Sequence, residues 1–215
     1  MSTPLAPGAQ ASGSQLGRPT SLSQESTRRR LSAQQAETVA KLTDAAVEVL
    51  RIEGFDGLTV RAVAKRAGVA PATAYTYFSS KSHLVAEVFW RRLAQGVAEP
   101  DPALAPADRV VALLRSVALI VTGDGDLGGA VTVALLGADP DVEHLRVRIG
   151  GFMRRQLAAA LDVDPENPGP IVEALEMLYA GGLVQAGMGH MSYEDTAERL
   201  TETALLIMRA DAKSP

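Results

Sequence analysis

Hydroxyls, short side chains and a few cations gather between Leu58 and Leu84, in the run LTVRAVAKRAGVAPATAYTYFSSKSHL. Ala72, Thr73, Ala74, Tyr75, Thr76 and Tyr77 form a block of small and hydroxylated side chains. Short groups let a helix come close to base edges, and tyrosine hydroxyls reach phosphate oxygens, so the chemistry implied is recognition of a nucleic acid. Two elements must present these groups. Thr59 is placed to cap a short helix that buries Val60, Val63 and Ala64; Gly68 supplies a turn; Pro71 pre-sets φ for the first turn of a second short helix anchored by Phe78. Two short helices joined by a tight Gly-containing turn make a helix-turn-helix, whose second helix enters the major groove of DNA.

Other chemistry finds little support. His83, His144 and His190 share no metal-ligand spacing, HExxH is absent, and the chain contains no cysteine. No nucleophile motif and no carboxylates at useful spacing point to catalysis, and neither cofactor nor metal is expected. Gly123, Gly125 and Gly128 match the G-x-G-x-x-G spacing of a dinucleotide-binding turn, which leaves a nucleotide-binding enzyme as a remote alternative. Asp124 and Asp126 would face the pyrophosphate there, and the segment before them has a helical period, so an interhelical loop is the preferred reading. A calcium loop would need Glu at its twelfth position, where this chain has Leu135.

The charge is divided along the chain. The net −4 separates into +5 over residues 1–92 and −9 over residues 93–215. A basic head on an acidic body puts the attractive field for DNA at one end. No apolar run approaches the ~20 residues that span a bilayer, and neither a membrane partner nor a secretory leader is expected. Lack of cysteine fits a reducing cytoplasm. Residues 1–32 are rich in Ser, Gly, Pro, Ala and Gln, which predicts a disordered tail. Arg28, Arg29 and Arg30 at its end read equally as a phosphate-seeking arm or as a solvated charge run.

From Ala36 onward the pattern is helical nearly throughout. Val39, Leu42, Ala46 and Val49 recur at spacings of three and four up to a stop at Gly54. A longer helix runs from Lys81 to Val97, and Pro100, Pro102 and Pro106 mark a boundary. Further helices are expected over 107–121, about 129–137, and from Val142 to beyond Leu157, with a last pair over 171–187 and 193–209. The chain is therefore expected to be all-α. An N-terminal three-helix, helix-turn-helix DNA-binding domain would occupy 33–98, and a C-terminal helical ligand-binding and dimerisation domain 104–210.

The Ala67-Gly68-Val69 turn, Thr73, the Tyr75-x-Tyr77-Phe78 group, Ser80-Lys81, and Gly54-Phe55 followed by Leu58-Thr59-Val60-Arg61 together resemble the TetR family of transcriptional regulators. The resemblance runs from about Ala36 to Leu93. It departs from the family's pattern at Pro71, Ala72 and Ala74, and at Ala62, where an acidic residue would complete a capping box. It implies a regulator, a repressor rather than an activator, that binds double-stranded operator DNA and responds to a small-molecule inducer. Thr59, Arg61, Tyr75, Tyr77 and Lys81 would anchor phosphates, while Ala72, Thr73 and Thr76 face bases. An activator on the same fold is the alternative.

In the family this resembles, two C-terminal helices per subunit form a four-helix dimer interface. The stripes that would do so here are Ile171, Leu175, Leu178 and Gly182 on one helix and Ala197, Leu200, Ala204 and Ile207 on the other. The same stripes could instead close the subunit's own core; a homodimer is preferred because one recognition helix touches few bases. Helix bundles hold small molecules between their helices. Phe89, Trp90, Leu114, Val117, Met153 and Met188 are candidate walls for such a pocket, and Gln156 and Gln185, polar groups on core-facing stripes, need a partner from either a ligand or the backbone. Apolar walls without a cationic cluster suggest a hydrophobic or amphipathic ligand.

Overall fold

A computed structural model describes residues 33–124 and 126–211, all in helices and short connections. The tail over 1–32, with Arg28 to Arg30, and Gly125 lie outside the described residues. The described helices are α1 (Ala33–Gly57), α2 (Val60–Arg66), α3 (Pro71–Tyr77), α4 (Lys81–Gly96), α5 (Pro106–Leu119), α6 (Leu127–Leu136), α7 (Pro140–Leu161), α8 (Gly169–Gly187) and α9 (Tyr193–Asp211).

Local chemistry sets the ends. Gly54 takes φ 66°, a left-handed value open to glycine, and breaks the regular geometry of α1 three residues before its end. Thr59 caps α2 by accepting from the Ala62 N–H at 3.0 Å, so the cap forms without an acidic partner. Gly68 (φ 65°) turns the chain, and Pro71 opens α3. Ser80 caps α4 through the His83 N–H at 2.9 Å, and Asp139 caps α7 through the Asp141 N–H at 2.9 Å. At the far end of α7, Asp162 adopts φ 58° and is clamped by both terminal nitrogens of the buried Arg109.

Leu42, Leu58, Val63, Leu84 and Phe78 bind α1 to α4 into a small head, and Leu93, Leu114, Leu127, Met153, Leu175 and Leu200 continue the same core into the body. The joint between them is α4, which packs on α1 in the head and on α6 and α7 in the body. In the body, α5 lies against α7 and α9, and α8 lies against α9. Close approaches here depend on glycine. A Cβ on Gly187 would overlap Thr132 of α6, and one on Gly182 would stand 2.9 Å from Leu200.

Candidate functional site

α3 turns Ala74 and Phe78 inward, at 0% and 2% exposure, and this leaves Ala72, Thr73, Tyr75 and Thr76 on the outside. Tyr75 is 53% exposed, whereas Tyr77 is half-buried against the core. The Thr76 hydroxyl donates to the Ala72 carbonyl at 3.1 Å, so towards a base its oxygen acts as an acceptor. Beside α3, Thr59, Arg61, Lys65 and Pro71 line a shallow groove. The exposed Lys65 was missed from sequence, although it stands one helical turn from Arg61 and shares its face. Lys81 is placed differently from a free phosphate anchor. Its Nζ donates to the Phe55 carbonyl at 2.9 Å and lies 4.2 Å over the Phe55 ring, which ties the start of α4 to the end of α1.

In the body, helices α4 to α8 and the start of α9 line a partly open cavity of about 270 Å³. Phe89 and Leu93 of α4, Val117 of α5 and Met153 of α7 form apolar wall. Thr132, Tyr179, Tyr193 and Arg146 add polar groups that sequence reasoning missed, because four different elements contribute them and no spacing in the chain links them. Burial pushes the Tyr179 phenol up to about 12, and burial also raises Tyr193 against a hydrogen bond with Thr132.

Of the other residues expected in this pocket, Trp90 meets Phe152 edge-on at 5.6 Å beneath the Arg148 guanidinium, and Leu114 is sealed in solid core at 0% exposure. Gln156 is buried, but its amide donates to Glu99 at 3.3 Å, and its Oε1 has no partner among the described residues. Gln185 is exposed in a groove between α8 and α9, and Met188 is 61% exposed just past the end of α8. These five do not line the cavity.

Between head and cavity lies a charged joint. Asp124, in the loop that leads into α6, is buried and takes Arg51 of α1 and Arg92 of α4 on its two oxygens. Burial alone would raise its carboxyl, but Arg92 and Arg51 together outweigh burial and hold it below the ordinary value.

Residues 42–88 match the family model described as bacterial regulatory proteins, tetR family. An uncharacterized HTH-type transcriptional regulator of Mycobacterium tuberculosis is 44% identical over 183 residues, 84% of each chain. This chain belongs to the TetR family. The HTH-type transcriptional repressor KstR of Rhodococcus jostii is 28% identical over 185 residues, covering 84% of this chain and 87% of its own. The crystal structure of a TetR transcriptional regulator from Rhodococcus sp. RHA1 matches 81% of this chain with a TM-score of 0.67 at 23% identity, covering 96% of its own, and so shares the fold. As a TetR-family member the protein is a DNA-binding transcription regulator with a helix-turn-helix head.

Packing within the subunit takes up much of the C-terminal stripes of this TetR-family chain. Leu175, Leu200 and Ala204, at 0%, 2% and 0% exposure, are consumed inside the subunit, and Gly182 faces Leu200 of the same chain. Ile171, Leu178 and Ile207 are partly buried against that same core. The reason is that α9 itself covers this side of α8. The outward side of α8, roughly a third of a turn away, carries Met177 at 78% exposure with Gly181 and Met188, and α9 carries Leu206 at 63%. The dinucleotide reading also loses its context. Val117 belongs to a helix rather than a strand, Asp124 faces two arginines, and Gly128 lies under the Tyr193 ring.

Proposed function

We propose that this TetR-family regulator is a ligand-responsive repressor, binding a palindromic operator as a homodimer and released when a small hydrophobic or amphipathic inducer fills the cavity. One observation carries the reading: α4 supplies Phe89 and Leu93 to the cavity wall and, at its other end, Ser80 and Lys81 to the base of the head. A ligand that fits the cavity in one tilt of α4 better than in another has different affinity for the two states, which is what shifting DNA occupancy requires. In this reading Ala72, Thr73 and Thr76 face bases, while Thr59, Arg61, Lys65, Tyr75 and Tyr77 contact phosphate, with Lys81 supporting from behind. The name of the relative KstR, a transcriptional repressor, supports repression.

Dimerisation follows from the geometry of reading. One α3 covers few base pairs, and two-fold symmetry sets a second half-site about 34–36 Å away. The exposed apolar stripe of Met177, Gly181 and Met188, with Leu206, is the surface assigned to that contact, since a patch of this kind marks association. The test is to pass genomic fragments over the purified protein at near-physiological salt and sequence what is retained. A pseudo-palindrome with half-sites one turn apart, lost from the bound fraction on adding inducer, is the expected result. Retention without any motif would overturn specific operator binding.

A further inference from the structure

The cavity wall carries, among the described residues, one permanent cation and no anion. Among its described lining side chains Arg146 is the only charged one. Its Nη1 donates to the Leu135 and Gly137 carbonyls at 3.2 and 3.0 Å, which closes the C-terminal end of α6. No carboxylate pairs with it among the described residues, in contrast to Arg51, Arg92, Arg109 and Arg154, each of which has an acidic partner. The two lining phenols are held neutral by burial, so neither supplies negative charge. Guanidinium groups keep their charge under all ordinary conditions and present several donors in one plane, of which Nη1 uses only part. Arg146 is partly buried and has no carboxylate partner among the described residues, so an anion seated at this point would gain a charge-assisted hydrogen bond.

We propose that the inducer is a small amphipathic anion, its carboxylate-like head at Arg146 and its apolar body along Phe89, Leu93, Val117 and Met153. The proposal rests on the cavity being the inducer site. Size limits the body. At about 270 Å³ the space suits a body of about ten carbons. Head and body then divide the work. The apolar wall supplies affinity, and Arg146 selects the charged compound over a neutral one of equal length.

Decanoate and 1-decanol, titrated into the full-length protein at about pH 7.5, where the acid is ionised, test this by calorimetry. Wild type should bind decanoate roughly ten- to a hundredfold more tightly than decanol, as hydrogen bonds to charged groups allow. Arg146→Gln should abolish the preference while changing decanol affinity less than about threefold, and Arg146→Lys should restore part of it. Equal affinity of wild type for acid and alcohol overturns the head-group assignment and leaves the apolar cavity standing. Binding of neither compound overturns both. The wild-type comparison decides the matter even where Arg146→Gln weakens the closure of α6.

Discussion

Arg51 in α1 and Asp124 in the loop before α6 form an ion pair that links the reading head to the wall of the cavity. Arg92 of α4 takes the other oxygen of the same carboxylate. The loop that holds Asp124 runs directly into α6, whose Gly128 and Thr132 border the cavity. A displacement of α6 is thus felt by two arginines on two head-bearing helices at once.

Asp124→Asn keeps the shape and removes the charge. It should cost about 1–3 kcal/mol, less than for a fully buried pair because Arg51 is half exposed. The same change should weaken DNA release by inducer more than DNA binding itself. Urea unfolding and paired binding curves check both parts. Since the folded carboxyl sits below its ordinary value, its contribution is complete above about pH 5 and declines as pH falls through the ordinary carboxylate range towards that lowered value.

His83 gives a second handle on pH, in the same direction but nearer neutrality. Burial and the neighbouring His144 depress it, while Asp141, Glu87 and Asp139 oppose the shift without cancelling it. The unfolded chain therefore takes up this proton first, and stability falls as pH drops below about 6.5. Comparing urea midpoints at pH 7.5 and 5.5, wild type should lose more than His83→Gln. Equal losses would show that this ring does not report on folding.

Thr76 should discriminate at one base pair. With its hydroxyl proton given to Ala72, its oxygen suits an exocyclic amine and its methyl suits a thymine. Thr76→Ala should change preference at that position by roughly 1–3 kcal/mol. Tyr77→Phe should instead weaken specific and non-specific DNA alike. A selection experiment with each variant separates the two roles, and an unchanged motif for Thr76→Ala would remove its assignment.

Met177 and Leu175 lie on different sides of α8, and they should fail in different ways. Met177→Glu places a charge on the outward stripe and should yield a monomer whose stability changes by no more than about 0.5 kcal/mol. Leu175→Ala opens the subunit's own core and should cost about 2–5 kcal/mol without directly removing the contact between copies. Sedimentation together with thermal unfolding distinguishes them. A Met177→Glu protein that remains dimeric would relocate the interface.

Periodicity and punctuation made the helices legible. Val39, Leu42, Ala46 and Val49 are buried as their spacing implies, and Gly54, Gly68, Pro71 and Pro106 stand at the breaks. What periodicity cannot say is which neighbour covers an apolar stripe. Leu175 and Leu200 read alike whether α9 or a second subunit lies opposite. The cavity shows the same limit. Phe89, Val117 and Met153 line it, but Leu114 in the same kind of stripe meets solid packing. Gln156 finds Glu99, 57 residues away, and Arg146 reaches α6 carbonyls, both distances that no local pattern encodes.

The bond from Lys81 to the Phe55 carbonyl bears on how the signal would travel. It ties the end of the first helix to the start of the fourth, so a tilt of the fourth helix carries the first with it. α4, 16 residues and about 24 Å long, then works as a lever arm with the cavity under one end. A tilt of about 5° carries the head some 2 Å, by the rise of 1.5 Å per residue. Two heads swinging oppositely would double that error against the fixed pitch of DNA. A ligand no larger than a short hydrocarbon chain would therefore suffice to take both recognition helices out of step with the groove.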